Sequence, residues 1–195
     1  MKNNNYKDLI NITFREHIDV LKKTNLQITE NIEISSDIIA KSLSSEGTIF
    51  WCGNGGSAAD SQHIAAEFVG RFKKDRIPLR SIALTTDTSI LTCVSNDYSY
   101  EEIFSRQLRA LGRDGDVLVV ISTSGKSENI RQVLIHARKM GIKTIGLLGK
   151  EGGDCKDYVD VPLIVQSDIT ARIQETHILI EHLLCELVEH KMGFN

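Results

Sequence analysis

The sequence predicts an α/β domain built on a five-stranded parallel sheet with helices on both faces. Three observations carry that reading. From Thr48 onward, short apolar runs alternate with stretches of helical periodicity, the pattern of repeated strand–helix–strand units. Val117-Leu-Val-Val-Ile121 is apolar at every position, as expected of a strand buried on both faces. Two loops rich in glycine and hydroxyl groups directly follow two of the apolar runs. In open parallel sheets, ligands sit beyond the carboxyl ends of the strands, where the strand order reverses.

The first 45 residues read as helical. Ile10, Phe14, Ile18 and Leu21 recur at helical spacing, as do Ile28, Ile32, Ile39 and Leu43. Thr24-Asn25 is a break point between two such helices. Because they precede the first strand they are not crossovers, and their apolar stripes must pack on the domain or on another subunit. Residues 1–46 are therefore read as N-terminal helices that serve oligomerisation within the same domain, and residues 47–195 as the sheet unit. Thr48–Cys52 is the first strand, and a helix runs from Ser57 through Phe72. Ser81–Leu84, Val117–Ile121, Thr144–Leu148 and Val159–Val165 complete the five strands. Tyr100–Leu111, Ser127–Met140 and Ile169–His190 are the remaining helices. No internal repeat interrupts this order.

Composition narrows the function. The 195 residues are 41% hydrophobic and 25% charged, with only two prolines, so no linker or disordered tail is expected. Lys and Arg number 23 against 26 Asp and Glu, a net charge of −3. No basic excess exists to grip a long nucleic-acid backbone. No apolar run is long enough to span a bilayer. The polar stretch Met1–Ile10 lacks a signal-peptide core, so a cytoplasmic protein is expected. Cys52, Cys93, Cys155 and Cys185 form no close pair and are expected to be free thiols.

The first loop is Cys52-Gly-Asn-Gly-Gly-Ser-Ala58. It fits the loose dinucleotide fingerprint, but the acidic residue expected about 20 positions on is missing. The nearest, Asp87, comes much later. A tight strand-to-helix turn without a ligand is the bland alternative. More generally, glycines admit a ligand close to the backbone, and a helix N-terminus offers free N–H groups. The second loop is Ser122-Thr-Ser-Gly-Lys-Ser127. Its end resembles a P-loop, but Val120 stands where that motif needs glycine, which rejects ATP. An N-cap needs one hydroxyl. Four around one glycine suit a phosphate monoester instead.

His63 and Glu67 stand four apart on the helix after the first loop, on one face. They lie among Ile64, Ala65, Ala66 and Phe68, a stretch that reads as largely buried. A buried carboxylate needs a partner, which a histidine or a divalent ion would supply. The last helix adds Gln174, Glu175, His177, Glu181 and His182.

Together these residues resemble the SIS (sugar isomerase) phosphosugar-binding family. The resemblance rests on Cys52-Gly-Asn-Gly-Gly-Ser57, His63-Ile-Ala-Ala-Glu-Phe68, Val69-Gly-Arg-Phe72 and Ser95-Asn-Asp97. Ile103-Phe-Ser-Arg106, Gly115-Asp-Val-Leu118, Ser122-Thr-Ser-Gly125, Arg172-Ile-Gln-Glu175, His177 and His182 complete it. It implies a flavodoxin-like three-layer sandwich assembled as a homotetramer with active sites at subunit interfaces. It implies phosphate binding by Ser122, Thr123, Ser124 and Ser127, with Ser57 nearby. Sugar contacts are implied for Asn54, Gly55, Gly56, Asn96, Asp97 and Gln174. One zinc ion per subunit is implied at His63, Glu67, Gln174 and His182, while Glu67 and His182 are also implied as the acid–base pair. Those roles compete, because a metal-bound group carries protons poorly.

The implied reaction is aldose–ketose isomerisation of sedoheptulose 7-phosphate to D-glycero-D-manno-heptose 7-phosphate through an enediol, feeding lipopolysaccharide or capsule. Another phosphosugar isomerase is one alternative. A non-catalytic branch that binds the bacterial replication initiator is a second. It shares Ala171-Arg-Ile-Gln-Glu175 but lacks the glycine, serine and Glu/His positions kept here as Gly56, Ser124, Glu67 and His182. Some members carry Asp where this chain has Ala171, so no acidic role transfers there. Gln174 and His182 lie roughly 12 Å apart along a straight helix, whereas one ion needs donors at about 2 Å. Either two subunits supply the ligands or the helix begins after Gln174.

Overall fold

A computed structural model describes residues 6–194; the first five positions of the Met1–Ile10 stretch lie outside the described residues. The chain opens with helix α1 (Tyr6–Ser44), then β1 (Ile49–Gly53), α2 (Gly56–Val69), β2 (Ser81–Ala83), α3 (Thr88–Asp97) and α4 (Ile103–Leu111). β3 (Val117–Ser122), α5 (Glu128–Lys139), β4 (Lys143–Leu148), β5 (Val161–Ile164) and α6 (Thr170–Lys191) follow. All four strand pairings are parallel, in the order β2-β1-β3-β4-β5. The order reverses between β1 and β3, so the two polar loops leave neighbouring strands at the switch point.

Side chains alternate across each strand, and this splits the core in two. Ile49, Trp51, Val117, Val119 and Ile121 pack with α1, α2 and α6. Phe50, Cys52, Leu118 and Val120 pack with α3, α4 and α5. The three layers follow from period-two burial. Among the described residues no helix is long and apolar enough to cross a membrane. All four cysteines are free, and Cys93 alone is exposed.

One local expectation fails, and two elements appear that the apolar pattern does not signal. The chain does not break at Thr24-Asn25, and α1 is one helix of 39 residues. Thr24 is buried, and its hydroxyl accepts the Gln166 N–H at 3.1 Å. The propensity cost of Thr and Asn is a few tenths of a kcal/mol, which this packing outweighs. Helix α3 is one that the apolar pattern does not signal. Its Ser/Thr-rich composition obscures Ile90, Leu91 and Val94, although Asp87 caps it by accepting the Ile90 N–H at 2.9 Å. Asp87 is thus a capping residue. Finally, 3₁₀ turns occupy Lys150–Tyr158, with left-handed backbone at Lys150, Glu151, Gly152 and Gly153.

His177 is fully buried on α6 with neither ring nitrogen in a well-formed hydrogen bond. Burial lowers its pKa to about 4, against a weak opposing pull from the Leu148 backbone. Its folded pKa lies below its unfolded value near 6.5. The unfolded chain therefore gains a proton first as pH falls, and stability is lost between about pH 6.5 and 4. The loss is on the order of 3 kcal/mol. Thermal melts over that window should show a shallower slope in His177→Gln than in the wild type.

Candidate functional site

The loop after β1 turns directly into α2. Gly55, at φ 59°, occupies the N-cap position without a side-chain cap, and the Ser57 and Ala58 N–H groups turn back to the Asn54 and Gly55 carbonyls at 3.1 and 3.0 Å. Gly56 makes room for Gln174: a Cβ there would lie 2.3 Å from the Gln174 amide nitrogen and displace that side chain. On the neighbouring strand, Ser122 Oγ accepts the Gly125 N–H at 3.0 Å, and Ser124 Oγ accepts the Lys126 N–H at 3.2 Å. Ser127 is the N-cap residue of α5 but makes no side-chain cap bond. Two helix N-termini without side-chain caps therefore converge at the switch point, and their dipoles favour an anion there. Asn54, Ser57, Ser122, Thr123, Ser124 and Ser127 line one small cavity there with Ile121. No charged side chain is among them.

Asn54 is held by a network absent from the sequence reading. Its amide exchanges hydrogen bonds with Asn129 at 2.9 and 2.8 Å, and Tyr100 Oη donates to Asn54 Oδ1 at 2.8 Å. Asn129 is buried in the first turn of α5, so the network ties the β1 loop to the β3–α5 junction. The available signal was an amide two residues after Ser127, at a turn whose donors point into the cavity. Asn129→Ala should release Asn54 and lower kcat/KM by about tenfold, as measured by steady-state kinetics.

The second cluster joins α2 to α6. His63 Nε2 and His182 Nε2 are 2.9 Å apart, and His63 Nε2 lies 3.7 Å from Glu67 Oε1. The expectation of a largely buried stretch needs correction. Ile64, Ala65 and Phe68 face the core, but His63 is exposed and Glu67 half-buried. The chemistry-bearing face of α2 is turned from the sheet. Phe72 stacks on the His182 ring, with centroids 5.4 Å apart and planes 18° apart.

Gln174 does not join that cluster within the chain. Its amide donates to Asp60 Oδ2 at 3.1 Å. Burial raises the Asp60 pKa, opposed by the Gln174 bond and by His63. Asp60 was legible only as the residue one turn before His63. Helix α6 begins at Thr170, ahead of Gln174, so the expectation of a later start is not met. Arg172 secures that first turn, donating to the Thr13 carbonyl at 2.9 Å and pairing with Glu175 at 2.9 Å. Gln174 and His182 thus sit on one unbroken helix with separate partners. Asn96 and Asp97 lie at the exposed end of α3; among the described residues their side-chain hydrogen bond is to each other, at 2.8 Å. Glu181, beside His182, is fully buried with both oxygens unpartnered among the described residues. Burial, reinforced by Asp60, pushes its pKa well up.

Two imidazole nitrogens and a carboxylate suit a zinc-type ion. Donors about 2 Å from a tetrahedral centre are about 3.3 Å from one another, which the two imidazoles approach. Among the described residues no three His, Cys, Asp or Glu side chains already form a metal-holding group. Glu67 stands slightly outside, and Gln174 is committed to Asp60.

Residues 14–149 match the model of the SIS domain family. A Clostridium acetobutylicum protein named phosphoheptose isomerase is 49% identical over 188 residues, which is 95% of this chain and 96% of that protein. One from Helicobacter pylori strain P12, with the same name, is 48% identical over 182 residues, 93% of this chain and 95% of its own. The structure of phosphoheptose isomerase from Neisseria gonorrhoeae superposes with a TM-score of 0.90 at 40% identity, covering 95% of this chain and 99% of that one. That of a phosphoheptose isomerase from Francisella tularensis gives 0.92 at 36% identity, covering 95% and 98%.

Proposed function

The chain belongs to the SIS domain family and, within it, to the phosphoheptose isomerases, and from that premise we propose how its site works. The enzyme is an aldose–ketose isomerase that converts sedoheptulose 7-phosphate to D-glycero-D-manno-heptose 7-phosphate. The observation that carries the reading is the pairing of an uncharged hydroxyl and N–H cavity at the switch point with a Glu/His cluster on the adjoining helices.

The phosphate enters the cavity of Ser122, Thr123, Ser124 and Ser127, with Ser57 at its edge. Binding at this remote end positions the reacting carbons. Asn54, Gly55, Gly56, Asn96, Asp97 and Gln174 contact the sugar. Glu67 removes a proton from C1 of the ketose, which gives an enediol. Reprotonation at C2 yields the aldose, while His182 carries a proton between O1 and O2. His63, Glu67 and His182, with Gln174 of a neighbouring subunit, are the residues that would hold one zinc ion. When bound, such an ion supplies a Lewis acid for the carbonyl.

The same reading includes a cytoplasmic homotetramer with shared sites, supplying heptose for lipopolysaccharide or capsule. Support for assembly comes from α1, whose first turns leave Leu9, Ile10, Ile12, Phe14 and Ile18 exposed at helical spacing. Apolar stripes of this size mark interaction surfaces. Incubation with sedoheptulose 7-phosphate, followed by NMR with and without chelator, tests the proposal. Aldose signals should appear, slow on chelation and recover with added zinc. Absence of conversion by the untreated enzyme overturns the function, and unchanged rates after chelation remove the metal from it.

A further inference from the structure

We infer that Arg76 and Glu189, outside the phosphate cavity, form a buried clamp that sets the placement of Glu67 relative to His182. The inference rests on the acid–base roles proposed above. Both side chains are almost fully buried, at 2% and 4% exposure, with Arg76 Nε 3.0 Å from Glu189 Oε1. A buried ion pair is seldom the most stabilising choice at a site, because desolvation offsets the attraction. Here all three guanidinium nitrogens are engaged, Nε by Glu189 and both Nη atoms by backbone carbonyls. The clamp's contacts lead to both members of the acid–base pair.

On the α2 side, Arg76 caps the helix that carries His63 and Glu67. Nη2 donates to the Glu67 carbonyl at 2.8 Å, and Nη1 donates to the Phe68 carbonyl at 2.7 Å and the Gly70 carbonyl at 3.3 Å. These are among the carbonyls that a helix C-terminus leaves without partners, where positive charge is favoured. The cation therefore fixes the last turn of α2 through the backbone of Glu67 itself.

On the α6 side, Glu189 stands two turns beyond His182. Its carboxylate accepts the Phe72 N–H at 3.0 Å and the Lys73 N–H at 3.1 Å. These bonds seat the segment after α2, and the Phe72 ring lies flat against the His182 imidazole. One end of the clamp thus holds Glu67 by its carbonyl, and the other holds His182 by the ring stacked on it. The phosphate cavity is built from the β1 and β3 loops and the first turn of α2, at the end opposite the clamp, and shares no residue with it.

Glu189→Gln, Arg76→Lys and Phe72→Leu test the clamp, with sedoheptulose 7-phosphate as substrate and circular dichroism to establish folding. Each should lower kcat by about 10- to 100-fold with KM within about threefold, the signature of misplaced catalytic groups with binding intact. Phe72→Leu leaves the ion pair in place, so it remains informative if the charge variants do not fold. The His182 imidazole NMR signals, assigned with His182→Asn, should move in each folded variant, while amide signals of Thr123–Ser127 stay put. Folded variants with wild-type kcat and an unmoved His182 signal overturn the clamp, even if they melt lower. If the wild type does not turn over the substrate, the proposed function fails. The His182 signals then still decide whether the clamp exists.

Discussion

Glu67→Gln is expected to reduce kcat by roughly 10²–10⁴-fold, the usual contribution of a positioned general base. The amide is nearly the same size and cannot take a proton from C1. Glu67 is half-buried and sits on the outer face of α2, so the substitution opens no core cavity. KM should stay within a few fold, because α2 reaches the phosphate cavity only through Ser57 in its first turn, ten residues before Glu67. The decisive measurement is solvent-deuterium incorporation at C1 alongside net conversion. A folded variant that retains near-normal exchange and turnover would remove Glu67 from the mechanism.

Gly125→Ala should cost more in binding than in chemistry. Gly125 has φ of 62°, and a Cβ there would stand 2.1 Å from the Gly152 carbonyl oxygen. Left-handed backbone costs an alanine about 1–2 kcal/mol, and overpacking adds typically 1–3 kcal/mol. The collision is with backbone, and that backbone is itself held: the Cys155 N–H donates to the Gly125 carbonyl at 2.9 Å. The loop must therefore shift, and Ser122 and Ser124 shift with it. KM should rise at least about tenfold, with a lower melting temperature. Titration with inorganic phosphate, followed through the amides of Thr123–Ser127, checks the binding component. Unaltered phosphate affinity in the folded variant would show that the loop's shape is not what binds.

The sheet was legible because its strands are short, apolar and separated by helical periodicity. The five runs from Thr48 to Val165 all became strands, with ends moved by one or two residues. The polar loops were legible because Gly and Ser/Thr cluster where buried strands stop. What escaped were properties of packing across the sequence. Nothing around Thr24 shows that Gln166, far along the chain, would donate to it and keep α1 continuous. Asn129 became visible only once β1 and β3 were neighbours, and Glu189 once α6 lay beside the end of α2. Gln174 lies against Gly56 of the first loop, and its tie to Asp60 depends on where α6 begins. Arg172 settles that start through a contact with Thr13.

The cavity at the switch point has a consequence for the conditions in which the enzyme can work. Its lining offers hydroxyls, an amide and helix ends without side-chain caps, with no ammonium or guanidinium. Screening by salt weakens attraction between full charges far more than short contacts to fixed dipoles. Hydroxyls also donate and accept, so they can meet a phosphate monoester in either ionisation state around its second pKa near 6. Substrate affinity should therefore stay nearly constant when ionic strength is raised severalfold. It should likewise change little between pH 5.5 and 7.5.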